Sequence, residues 1–183
     1  MKLTDMAIVF EMFLICLLVV VHMKSSREHA ELINQIMYNN VMDVIVEDSL
    51  RAGFNTVDRK GEPQVSLKEL SACFAAENAL YENSSRHILI YVEKDGFYSS
   101  DTYSGFIWGE KHFFDNGELS EHEEKVKCLA DYLEEQYGVY VTLPVNGGEP
   151  WQNTVNDYSL LCASYDLNTD ICSFSGAIIE NRD

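Results

Sequence analysis

MAIVFEMFLICLLVVVHM (residues 6–23) is an apolar run that carries a single acid, Glu11, and the helical pattern does not end where the run ends. AELINQIMYNNVMDVIVEDSLRA (residues 30–52) contains no Gly or Pro. It places Ile33, Ile36, Met37, Val41, Val44 and Ile45 at helical spacing on one face. The intervening KSSREH (residues 24–29) holds no strong breaker. Together these stretches predict one helix from about Met6 to Ala52, roughly 70 Å long at ~1.5 Å per residue. Its first half is greasy all round and its second half amphipathic, with the 33–45 stripe facing a core and Gly53 as the stop. Two helices broken near Ser25 and Ser26 are the alternative.

The eighteen apolar residues make about 27 Å of helix, enough to cross a hydrocarbon core. A cleaved secretory signal is the competing reading. Against it, the basic region before the run is thin, with Lys2 offset by Asp5. The run also ends in His22-Met23-Lys24 and not in a small-x-small cleavage site. The expectation is a single-pass membrane protein. Residues 1–23 form the N-terminal transmembrane anchor, residues 24–53 an amphipathic helix continuing from it, and residues 54–183 an extracytoplasmic domain. Flanking charges do not set the orientation; the C-terminal bulk is placed outside because long domains translocate largely regardless of them. Glu11 is the odd residue in the run, since an ionised carboxylate near mid-bilayer costs a few kcal/mol. Either it lies protonated or reaches toward the headgroups, or a partner helix or neighbouring subunit neutralises it.

The rest of the chain is acidic. With 13 Lys+Arg against 30 Asp+Glu in 183 residues the formal net charge is −17. Such a surface argues against nucleic acid and against docking on anionic lipid. Of five cysteines, Cys16 lies in the apolar run. Cys73, Cys128, Cys162 and Cys172 remain, as two disulfides in one of three pairings or as buried thiols.

The head reads as α+β with an antiparallel sheet. SLKELSACFAAENALYENSS (residues 66–85) opens on a capping box, Ser66 and Glu69, and predicts a helix over about 67–82. HILIYVE (residues 87–93) is a strand closed by the turn Lys94-Asp95-Gly96. The aromatic, Gly-dotted stretch 97–117 suits short strands or a self-packed loop. Ser120 and Glu123 form a second capping box before Val126, Leu129, Ala130, Leu133 and Tyr137, and Gly138 supplies a stop. VYVTLPV (139–145), DYSLLCASYDL (157–167) and ICSFSGAIIE (171–180) are strands, the last two around Asn168-Thr169-Asp170.

Catalytic motifs are missing. The sequence has no phosphate loop, HExxH, GxSxG or nucleotide fingerprint, and its five histidines lack ligand spacing, so neither enzymatic activity nor a cofactor is expected. Asp166-Leu167-Asn168-Thr169-Asp170 resembles the start of a calcium loop, but Ile171 and Ala177 stand where such a loop needs Gly and Glu; a turn explains it better, and no metal is expected. The candidate contact residues are aromatic: among Tyr98, Tyr103, Phe106, Trp108, Phe113 and Phe114, Tyr103 and Trp108 are singled out for a binding surface, with core packing as the alternative.

The N-terminus resembles type IV pilins and pseudopilins, including the minor pseudopilins of tight-adherence systems. In that family a short basic leader precedes an apolar helix that carries Glu at the fifth mature position and leads into an αβ head. A cut after Met6 makes Ala7 the first residue and Glu11 the fifth. The resemblance implies that Glu11 meets the free amino terminus of a neighbouring subunit. It also implies partners that are the membrane and other copies or homologous subunits packed through the N-terminal helix, in a surface filament or secretion apparatus. A membrane-tethered binding or sensor module is the alternative.

Overall fold

The computed structural model describes residues 3–80, 85–114, 122–140, 157–166 and 171–179; the side chains of residues 3–11, 13, 56, 122, 123, 166 and 171 lie outside that description. The fold is α+β, with a long N-terminal helix, two further helices and antiparallel sheets. It divides into two compact units, Met1–Tyr38 and Asn39–Asp183, and the boundary falls inside the first helix.

Helix α1 (Leu3–Gly53) is one uninterrupted element. No break occurs at Ser25 and Ser26. That polar stretch carries ion pairs one helical turn apart, Lys24 with Glu28 at 3.7 Å and Arg27 with Glu31 at 2.7 Å. Such exposed pairs support a helix by a few tenths of a kcal/mol each. In the first unit the described large apolar side chains between Met12 and Met23 are 42–67 % exposed. Successive residues turn by 100°, so this apolar surface runs all round the helix and is not a stripe.

Among the described residues no helix is long and apolar enough to cross a membrane. The span expected at residues 6–23 is described over eleven side chains, those of residue 12 and residues 14–23. They cover about 17 Å of helix at 1.5 Å per residue, against a hydrocarbon core of about 30 Å, before Lys24, Arg27 and Glu28 intervene.

In the second unit α1 buries Met42, Ile45, Val46, Ser49 and Leu50, a clean i, i+3, i+4, i+7, i+8 face. This corrects the expected stripe. Ile45 is buried and Val41 half-buried, but Ile33, Ile36, Met37 and Val44 are 44–62 % exposed. Two apolar faces overlap in sequence here, and periodicity alone does not tell which of them the core takes.

Gly53 also acts differently from expectation. It lacks a left-handed φ. A β-carbon on Gly53 would sit 2.9 Å from Leu70 Cβ and 3.2 Å from both Ser66 O and Val65 Cγ1. It therefore permits close approach and does not cap. The chain passes directly into a hairpin of β1 (Phe54–Val57) and β2 (Pro63–Val65), and Ser66 N–H returns to Gly53 O at 2.7 Å.

Helix α2 (Leu67–Leu80) starts at its expected cap, with Glu69 N–H donating to Ser66 Oγ at 3.4 Å, and it buries Leu70 and Phe74. Strands β3 (Ser85–Val92), β4 (Gly96–Asp101), β5 (His112–Phe113), β6 (Ser159–Asp166) and β7 (Ile171–Ile178) form one antiparallel sheet in the order β5-β4-β3-β6-β7. Helix α3 (His122–Tyr137) ends as expected: Gly138 takes φ +66°, and Val139 N–H reaches back to Leu133 O at 3.1 Å.

Strand β3 is buried on both faces. Ile88, Ile90 and Val92 join Phe97, Leu161 and Ala163 under Val126, Leu129 and Leu133 of α3. On the opposite face lie His87, Leu89 and Tyr91, with Leu160, Cys162 and Ser164 beside them on β6. Phe74 of α2 meets His87 edge-on at 5.4 Å between ring centroids.

Among the described residues no disulfide joins the cysteines, so the two-disulfide alternative is not realised; Cys162 lies within the sheet face and Cys73 is half-buried on α2. Val139 and Tyr140 are not in a strand. The remainder of the 139–145 strand, the 168–170 turn and Ser120 of the second capping box lie outside the described residues.

Gly53→Ala tests the close approach of α1 to α2. It drives a methyl group against Leu70 Cβ and Ser66 O and is expected to cost about 1–3 kcal/mol. Gly109→Ala, whose β-carbon would meet only Ser99 O at 3.7 Å, is the control and is expected to leave the thermal midpoint unchanged. Equal midpoints for the two variants would contradict the packing account.

Candidate functional site

The aromatic segment after β4 does not act as one surface. Phe114 is 2 % exposed and belongs to the core under α3. Phe106, with φ 58°, turns its ring to Phe74 at 5.3 Å. Trp108 is half-buried, and its indole N–H donates to Leu67 O at 2.8 Å, tying the 102–111 loop to the start of α2. Tyr103 and Phe113 are the exposed ones, at 76 % and 69 %. The two singled-out aromatics therefore face different neighbours, and of these two only Tyr103 is exposed. Glu11 lies in α1 with its side chain outside the described residues.

Tyr103 stands next to a residue the sequence reading passed over. Arg86, second residue of β3, holds its guanidinium carbon 4.9 Å from the Tyr103 ring centroid and 5.6 Å from that of Tyr137, the last residue of α3. Its Nε is buried without a hydrogen-bond partner among the described residues. Ladder register sets Arg86 beside Tyr165 of β6. Behind this clamp, Tyr132 OH and Ser99 Oγ are 2.6 Å apart, and Tyr137 OH donates to Ser99 Oγ at 3.4 Å. His112 Nε2 lies 3.3 Å from Tyr132 OH and its ring stacks on Phe97. His112 is thus a strand residue of β5 engaged by its neighbours' rings.

No family model, curated protein or solved structure matches this chain. What the site can do therefore rests on its own geometry.

A second feature is a cleft of about 430 Å³ lined by Asp58, Glu62, Gln64, Glu93, Asp95, Lys111 and Tyr158, among others. Lys111 Nζ sits between Glu93 Oε2 at 2.5 Å and Asp95 Oδ1 at 2.6 Å. Burial pulls its ammonium down, but the hydrogen bonds it donates to Asp95 and Glu93 outweigh this and the net shift is upward. The same contact holds the Asp95 carboxyl below its ordinary value. Asp58 Oδ1 accepts from the N–H groups of Lys60 and Glu62, so it shapes its own turn. Tyr158 takes a left-handed φ of 63°, pinned by its N–H to Val92 O at 2.8 Å. Most charges here are already neutralised or engaged. Among the described residues no group of three or more His, Cys, Asp or Glu could hold a metal ion. The 166–170 stretch falls outside that description apart from the backbone of residue 166.

The third feature is buried. His87 Nδ1 and Ser164 Oγ share a hydrogen bond of 2.8 Å, and Cys162 Sγ lies 3.3 Å from Ser164 Oγ. The array has the residue types of a nucleophile and base, but the wrong protonation. Burial pushes the Cys162 thiol up to about 12 and the His87 imidazole down to about 4. Both are neutral near pH 7, so no thiolate forms, and nothing reaches them from solvent. This is a structural network. Its only sequence signal was polar residues inside apolar strands.

Two outcomes follow from these placements. His87 binds a proton near pH 6.5 when unfolded but only near pH 4 when folded, so the unfolded chain holds more protons between those values and stability falls as pH drops through that window. The loss approaches about 3 kcal/mol at its lower end. Denaturant melts of the parent and His87→Gln from pH 7 to pH 4 should show a shallower acid loss in the variant; parallel profiles would remove His87 from the account. Separately, Trp108→Phe should cost about 1 kcal/mol through the lost bond to Leu67 O. Tyr103→Ala should stay within about 0.5 kcal/mol, and thermal melts compare the two directly.

Proposed function

We propose that this protein is a non-enzymatic, single-pass membrane protein, a pilin-like component of a surface filament or secretion apparatus, anchored through residues 1–23 with its α+β head outside the cell membrane. The observation that carries the reading is helix α1 itself. One element joins a segment whose described apolar side chains at residues 12–23 are exposed to a segment whose buried face enters a head with an antiparallel sheet. Apolar surface that runs all round a helix requires lipid or neighbouring helices to cover it. Residues 6–11 extend the run in sequence to a length that crosses a bilayer. Glu11 then acquires its charge partner from the amino terminus of an adjoining subunit, and the acidic head stays solvated.

The alternative is a membrane-tethered binding module. The exposed Tyr103 over Arg86 favours it, because a site of this kind needs no assembly.

Intact mass and N-terminal sequencing of the membrane-extracted protein discriminate the two. A mature chain beginning at Ala7 is expected for the pilin-like reading, although Met6 stands where that family has Gly before the cut. In the same preparation Glu11→Ala should abolish cross-linkable oligomers of the parent. A chain beginning at Met1 together with oligomers indifferent to Glu11→Ala would leave the tethered module.

A further inference from the structure

Arg86 is set up differently from the paired cations of the chain. Lys111 and Lys125 are each neutralised by carboxylates, Lys125 by Asp157 at 2.7 Å. Arg86 makes no ion pair among the described residues. Asp101 of β4, paired with Ile88 two residues along β3, uses Oδ1 to accept Ser104 N–H at 2.6 Å. The rings of Tyr103 and Tyr137 hold the guanidinium by cation–π contact, and its buried Nε–H donor has no acceptor among the described residues. A buried donor left unmade is costly, and a guanidinium flanked by rings keeps its planar N–H edge for a flat two-oxygen acceptor.

We propose that Arg86, with Tyr103 as an exposed wall and Tyr137 behind it, is a binding site for a carboxylate, one belonging to an acidic side chain or a chain end of a partner protein. A monoanionic carboxylate matches the guanidinium fork with two parallel hydrogen bonds. Phosphate is disfavoured on two counts. The clamp contains one base and not the cluster that phosphate recognition uses, and a chain of net charge −17 repels a dianion more strongly. None of its three residues lies on α1, so it holds under either reading of the protein's role.

The test is a titration of the full chain in non-ionic detergent with sodium acetate, and separately with inorganic phosphate, at constant ionic strength set by chloride. The readout is the Arg86 Nε–H resonance, assigned by its loss in Arg86→Lys. A saturable shift with acetate in the millimolar range, weakened several-fold in Tyr103→Ala, is expected. A linear, non-saturating response would overturn the proposal, as would phosphate binding at least as tightly as acetate. Circular-dichroism melts of both variants separate loss of binding from loss of fold, and the parent titration stands regardless of how the variants behave.

Discussion

Strand β3 is the constraint on which the head depends. Every residue from His87 to Val92 is buried, and the strand is paired along its length to β6 and over five positions to β4. A strand covered on both faces needs a layer on each side. Helix α3 supplies one through Val126, Leu129 and Leu133, and α2 reaches the other through Phe74. The C-terminal part of α1 joins α2 because Gly53 lets its backbone come against Leu70 and because the Cys73 thiol bonds to Ser49. The helices are thus placed by what β3 must hide.

Much of this was legible in the chain. HILIYVE reads as a strand from its apolar and β-branched residues, though not as the central one, and the 126–137 pattern has one apolar face that a sheet accepts without adjustment. Ser66 and Gly138 announced their helix ends because capping is local chemistry that no distant contact overrides. Gly53 was misread for the complementary reason. A glycine that admits a neighbouring helix and a glycine that turns left-handed look alike in sequence, and only the position of Leu70 separates them.

The site was less legible. Tyr103 stood out as an aromatic in a polar loop, but its value comes from Arg86, which precedes it by seventeen residues and meets it only after β3 and β4 fold back on each other. Tyr137 reads as the last apolar position of a helix and gives no sign of its second contact. Trp108 resembled Tyr103 in sequence and differs from it because Leu67 O offers its N–H a partner. Long-range pairing of this kind leaves no periodic trace.

The alternation along β3 has a consequence for folding fidelity. Arg86 and His87 are neighbours in sequence but point to opposite faces, one clamped by tyrosines at the margin of the sheet and the other sealed against Phe74. A slip of one residue in the ladder exchanges every inward and outward side chain. Here it would carry a permanent charge into the sealed face and leave a neutral imidazole in the clamp. The two residues therefore work as a register key, making the nearest misfolded alternative electrostatically unfavourable once α2 and α3 cover the sheet.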